Sequence, residues 1–135
     1  MNGLSYQIET SVEPHEVADI YRRSGITRPI EDLFQLTHML QHANRMISAR
    51  DQGRLVGFAH ALTDFSYCCY LSALVVARDY QRRGIGKQLL HIHTMRKQLG
   101  DEVMVYLLSA LEAMAYYPNA GFQMAEQAWW IPRKR

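Results

Sequence analysis

The sequence predicts an α/β domain on one mixed sheet, antiparallel in its N-terminal half, with a parallel central strand pair and helices on both faces. Three observations predict it. Strand-like runs joined by short turns crowd residues 46–76. An apolar strand, a basic loop and an amphipathic helix then follow one another between Leu74 and Leu99. A continuous apolar run, Val103–Leu108, comes next, and strand–helix–strand units within one sheet run parallel.

Tyr6–Thr10 is the first expected strand. Pro14, suited to a first helical turn, opens a helix in which Val17, Ile20 and Tyr21 recur at helical spacing, and Gly25 stops it. Pro29 precedes a second helix with an apolar stripe of Leu33, Leu36, Leu40 and Ala43. Met46–Arg50 and Leu55–Leu62 flank Asp51-Gln52-Gly53, a hairpin turn in which glycine supplies a positive φ. A turn near Asp64 and Ser66 leads into the long strand Tyr67–Val76. Gly84–Leu99 is expected to be helical, with Ile85, Leu89, Ile92 and Met95 on one face and Gly100 at its end. Val103–Leu108 has the composition of a strand buried on both faces. A short helix, Leu111–Tyr117, meets Pro118 and Gly121, and Phe122–Ile131 is the last expected strand.

At 135 residues the chain is one domain, residues 1–135. Hydrophobic residues at 48% supply a core and argue against disorder. The longest apolar runs fall far short of the ~18 residues that cross a bilayer, and Met1-Asn2-Gly3 begins no secretory pattern. Fifteen basic against thirteen acidic residues leave a formal charge of +2, too little for nucleic-acid binding by bulk charge but enough for one local basic site. The two cysteines, Cys68 and Cys69, are adjacent, so a strand would point them to opposite faces. They make neither a disulfide framework nor a zinc site, no metal is expected, and a reducing cytoplasmic setting fits.

Chemistry concentrates in Leu74-Val75-Val76-Ala77-Arg78-Asp79-Tyr80-Gln81-Arg82-Arg83-Gly84-Ile85-Gly86-Lys87. A strand ends, a basic loop follows, and two glycines open a helix whose free amides and dipole make an anion site. Arg82, Arg83 and Lys87 add positive potential, glycine lets the backbone approach a phosphate, and the ligand this suits is a pyrophosphate. A side chain at Gly86 is expected to crowd that ligand. Two other phosphate loops fail: Gln81 stands where a Walker loop needs glycine, and Leu89 where the dinucleotide fingerprint needs it.

What remains, Gln81-x-x-Gly84-x-Gly86 after a strand ending in Val76, resembles the acetyl-coenzyme A loop of the GNAT family of N-acetyltransferases. Ala113, Tyr117 and Gly121-Phe122 are similar to that family's Ala-x-x-x-Tyr-x-x-x-Gly-Phe segment, and the order of elements matches over nearly the whole chain. The resemblance implies acetyl-CoA as co-substrate, its pantetheine arm and acetyl group on the backbone of Leu74, Val75 and Val76. It also implies its pyrophosphate on the amides of Arg82, Arg83, Gly84, Ile85, Gly86 and Lys87. Tyr117 matches the tyrosine that protonates the departing thiolate. Two positions depart from the pattern: Ala110 stands where many members have asparagine, and Arg78 replaces a proline after the strand.

The implied activity is direct transfer of acetyl from acetyl-CoA to a primary amine of a small molecule or a protein, with a homodimer as a further expectation. Such transfer needs a neutral amine, while an alkylamine of pKa about 10 is mostly protonated at neutral pH. Asp64, Glu31, Glu112, Glu126 and His60 are candidate bases, with Asp64 favoured by its turn beside the central strands. Arg28 and Trp129 are candidate specificity elements. Two other classes stay open: a non-catalytic acyl-CoA sensor, and an interaction domain built on the basic loop and the tail Arg133-Lys134-Arg135. His38 and His42 lie one helical turn apart but lack the glutamate of a metalloprotease motif, and His91 and His93 are expected on the surface. Cys68 and Cys69 lack a neighbouring His or cation in sequence, so they are expected to be structural rather than acyl carriers.

Overall fold

The computed structural model describes residues 3–26, 31–91 and 99–134. Five strands, Leu4–Glu9 (β1), Arg45–Asp51 (β2), Arg54–Thr63 (β3), Cys68–Val76 (β4) and Met104–Tyr106 (β5), lie side by side in sequence order. β1 to β4 pair antiparallel, and β5 runs parallel to β4. The helices are Pro14–Ser24 (α1), Leu33–His42 (α2) and Ile85–His91 (α3).

Helix α1 starts at Pro14, where the missing N–H is harmless, and ends at Gly25, whose φ of 82° only glycine adopts easily. Its buried Val17, Ile20 and Tyr21 meet Leu36 and Leu40 of α2 over Phe58 and Val75 of the sheet. The Asp32 side chain caps α2, accepting the Gln35 N–H at 3.2 Å. Pro29 lies outside the described residues. In the β2–β3 turn Gln52 and Gly53 both take positive φ, 51° and 87°, the pair a type I′ hairpin requires.

Helix α3 covers the opposite face, placing Ile85 and Leu89 on Ile47, Ala49 and Val56. Gly57 makes this approach possible. A β-carbon there would lie 2.9 Å from Cγ2 of Ile85 and 3.2 Å from the Ala49 methyl. Helices therefore cover both faces of the mixed sheet, as the sequence predicts. The expected helix Gly84–Leu99 corresponds to α3; Ile92 and Met95 lie outside the described residues.

Three expectations change. The run Val103–Leu108 forms a ladder only over Met104–Tyr106. Leu111–Tyr117 is no α-helix: two 3₁₀ turns, Leu111–Ala113 and Tyr117–Ala120, replace it, with Pro118 in the first turn of the second, where its missing N–H is harmless. The expected strand Phe122–Ile131 is absent; this segment turns at Glu126–Gln127 and joins no ladder. Alternation and β-propensity promise a strand, but only a partner edge makes one. No helix among the described residues is long and apolar enough to cross a membrane.

Candidate active site

The sheet opens where its parallel pairing ends. β4 and β5 pair at Cys68–Met104, Cys69–Val105 and Tyr70–Tyr106, after which β4 runs on to Val76 beside β3 alone. The chain beyond Tyr106 parts from it, leaving a cavity of about 210 Å³. Residues 71–75 form one wall and residues 107–110 the other, with Tyr117, Ala113, Tyr21 and Ile26 closing the ends. The register shifts at Ser72: Ala73 lies opposite His60 and Leu71 opposite Ala61, a β-bulge.

Backbone polarity along the wall follows from one hydrogen bond. The Ala77 N–H donates to the Val56 carbonyl of β3 at 2.9 Å. Strand residues alternate in the edge they address, so the amides of Val76 and Leu74 face away from β3, toward the opening. Val76's carbonyl is taken, accepting from Nε2 of Gln81 at 2.9 Å. The same nitrogen donates to the Ser24 carbonyl at 3.0 Å. Gln81 thus pins the basic loop to β4 and to the end of α1, a role that its place at the head of the loop motif could have signalled.

The loop's backbone alternates in hand. Gln81 has φ −71°, Arg82 φ 64° and Gly84 φ 82°, while Arg83 stays negative. Such alternation makes a concave nest of N–H groups suited to an anion. Arg82, Arg83 and Lys87 are all exposed around it. The Arg83 guanidinium lies 5.2 Å from the Tyr80 ring centre, and the Tyr80 hydroxyl donates to Asp51, tying the loop to the β2–β3 turn. Arg78, in the place of the usual proline, lays its guanidinium over Gly25, 2.3 Å from where a β-carbon would be. A cation at the carbonyl end of α1 also suits the helix dipole.

Gly86 also faces a neighbour within the protein. A β-carbon there would meet the Tyr116 hydroxyl at 2.6 Å, so any larger residue would have to displace that ring. That hydroxyl is buried without a hydrogen-bond partner, and burial raises its pKa. Tyr117 instead lines the cavity, its ring held edge-on between Tyr116 at 5.3 Å and Phe122 at 5.4 Å. Burial, with smaller contributions from Tyr116 and Tyr21, lifts the Tyr117 pKa above that of an ordinary phenol.

The other sequence candidates scatter. Asp64 caps the β3–β4 turn, accepting the N–H groups of Ser66, Tyr67 and Cys68 at 2.9, 2.8 and 3.0 Å. These bonds lower its pKa to about 2, which disqualifies it as a base for an amine. Its turn also lies beyond the paired end of β4, away from the cavity. Glu31 and Glu126 are exposed and do not line the cavity, and the Glu112 side chain lies outside the described residues. His60 is buried on β3 opposite Ala73, a cavity residue, with its ring 5.7 Å from that of Phe58. Cys69 is buried in the core and Cys68 half-buried; neither reaches the cavity. Nδ1 of His42 bonds the His38 carbonyl at 2.8 Å, and the two rings meet edge-on at 4.4 Å. Trp129 is exposed and away from the cavity; Arg28, His93 and the side chain of His91 lie outside the described residues.

A sheet parted between its parallel strands beside a basic loop is an acetyltransferase architecture. The family profile described as acetyltransferase (GNAT) domain matches residues 17–129, and the chain belongs to that family. A GNAT-family acetyltransferase from Streptococcus pneumoniae TIGR4 superposes with a TM-score of 0.68 at 21% identity, covering 97% of this chain and 99% of its own. A ribosomal-protein-alanine N-acetyltransferase from Brucella melitensis biovar Abortus 2308 gives 0.69 at 18% identity, covering 96% and 98%. An aminoglycoside N-acetyltransferase solved with CoA gives 0.70 at 15% identity, covering 98% and 95%. At these identities the likeness establishes the fold. No curated protein sequence matches the chain.

Proposed function

We propose that this chain transfers an acetyl group directly from acetyl-CoA to a primary amine. The observation that carries the reading is the cavity between β4 and residues 107–110, with Tyr117 on its wall and the basic nest just beyond the end of β4. Acetyl-CoA supplies an activated thioester. The residues present fit it: the nest formed by Arg82, Arg83 and Gly84 suits a pyrophosphate, with Lys87 and the first turn of α3 adding positive charge. Leu74, Val75 and Val76 would hold the pantetheine arm and acetyl group, and the outward amides of Leu74 and Val76 suit a carbonyl oxygen that gains negative charge. Ala110 stands on the opposite wall and offers no polar side chain.

Tyr117 acts on the leaving group in this reading. Its raised pKa keeps it protonated at neutral pH and makes it a weaker acid than a thiol of pKa near 8.5, so it stabilises the thiolate chiefly by donating a hydrogen bond. Both substrates held in one cleft supply further acceleration through proximity. Cys68 and Cys69 take no acyl group, because neither faces the cavity. A reducing cytoplasmic setting suits two free thiols.

The test is thiol release from acetyl-CoA across a broad panel of primary amines. Release that requires an amine, with the acetylated amine recovered, is the expected result. Acetyl-CoA binding with no release for any amine would instead make the chain an acyl-CoA sensor.

A further inference from the structure

Helix α2 carries a stripe that neither the core nor the cavity uses. Its Leu36 and Leu40 face the core, so Phe34, His38 and His42, spaced one helical turn apart, point to solvent. Phe34 is 81% exposed, and its ring stacks on that of His38 with 6° between the planes. The His38 and His42 rings lie 4.4 Å apart, and both residues are exposed.

One hydrogen bond fixes the chemistry of the pair. A carbonyl oxygen only accepts, so Nδ1 of His42, 2.8 Å from the His38 carbonyl, carries the proton and donates it. In the neutral ring the lone pair then lies on Nε2. One ring nitrogen held by a carbonyl, with the other presenting its lone pair, is the arrangement of a metal-ligating histidine.

We propose that His38 and His42 chelate a first-row divalent transition cation, of the zinc or copper kind, on the outer face of α2. Nitrogen ligands sit about 2.0–2.1 Å from such an ion, which puts two imidazole centres roughly 4.5–5 Å apart around it. The observed separation needs only a small ring rotation to meet that. Glutamate in the metalloprotease motif is a base and no ligand, so its lack here leaves chelation intact. The pair also occupies the end of α2, where the negative pole of the helix dipole favours a cation. Imidazole nitrogen suits zinc and copper, whereas magnesium and calcium take oxygen ligands. Among the described residues no third histidine, cysteine or carboxylate joins the pair, so water completes the coordination.

Calorimetry of the untagged full-length chain with zinc chloride tests this independently of acetyl transfer. Zinc binding is expected, and magnesium chloride should give none under the same conditions. His38→Ala and His42→Ala, at exposed positions, should keep the far-ultraviolet circular dichroism. Each should weaken zinc binding at least ~10-fold, because loss of an outer-shell partner alone costs about 10–100-fold. Three results would overturn the site: no zinc binding by the parent, magnesium bound as well as zinc, or unchanged zinc affinity in the folded double variant. Should the variants not fold, copper chloride added to the isotopically labelled parent decides. Paramagnetic broadening centred on residues 34–43 supports the pair, whereas broadening centred on His91 and His93 refutes it.

Discussion

On one side of β4 the strands are paired along nearly their whole length; on the other, pairing lasts from Cys68 to Tyr70 and stops. The closed side is also tied by polar groups. Arg50 bridges Glu9 at 3.0 Å and Glu16 at 2.8 Å, joining β2 to β1 and α1, and Ser48 donates to Glu9 at 2.7 Å. Burial alone would push the Glu9 carboxyl up, yet hydrogen bonds from Ser48, Gln7 and Arg50 together hold it below its ordinary pKa. On the open side the backbone amides of β4 have no strand to bond, and the Tyr116 hydroxyl is buried unsatisfied. Rigid pairing on the closed side holds the wall of the cavity in place, and incomplete pairing on the open side leaves polar groups for a ligand.

The largest effect should come from the loop. Arg83→Glu with Lys87→Glu puts two negative charges beside the nest while leaving the exposed fold intact. Calorimetry should find CoA affinity reduced ~100-fold or more, given roughly 1.5–3 kcal/mol for each charge-assisted contact. Unchanged affinity on a folded variant would remove the anion site and with it the functional contrast between the two sides.

Tyr117→Phe comes next. It keeps the ring between Tyr116 and Phe122 but deletes the donor, so stability and CoA affinity should hardly change. Turnover, where chemistry limits it, should fall ~100-fold, the low end of the ~10²–10⁴ range for lost acid–base groups, because the hydroxyl's pKa is raised. Tyr116→Phe is the contrasting variant. Removing an unsatisfied buried hydroxyl should leave stability equal or higher, with turnover little changed.

These contrasts also mark what the sequence made legible. Strands β1 to β4 follow from alternation and turn residues, and α1 and α2 from apolar spacing, because those signals are local. The loop motif and Tyr117 were legible as a resemblance, and Tyr117 does line the cavity. The contact of Gly86 with Tyr116 was not, since Tyr116 comes from a distant segment. Asp64 was misplaced as a base: turn proximity is visible in sequence, whereas three N–H groups converging on one carboxylate are not. The absent last strand shows the same limit, for pairing depends on an edge that pattern cannot supply.

Gly57→Ala probes how the closed side carries the open one. The new methyl meets Ile85 and Leu89, so α3 must shift, and overpacking of this kind costs about 1–3 kcal/mol. Denaturant melts should show that loss, and CoA affinity should fall with it because α3 carries the loop's far end.

Asp64→Ala gives the smallest effect and a defined pH dependence. Its folded pKa of about 2 lies below the unfolded value, so its contribution is present above the unfolded pKa and is lost as pH falls through about 2. The parent should melt higher than the variant near pH 6, and the gap should close toward pH 2. A gap that persists at pH 2 would mean that the carboxylate's charge is not what the turn uses.

Amide chemical shifts of the isotopically labelled chain, followed during titration with CoA, separate the open side of the sheet from the closed one. Leu74, Val76 and residues 82–87 should move, with the side chain of Tyr117, while β1 and β2 stay put. Shifts concentrated on β1 and β2, with the parted strands and the loop unmoved, would contradict it.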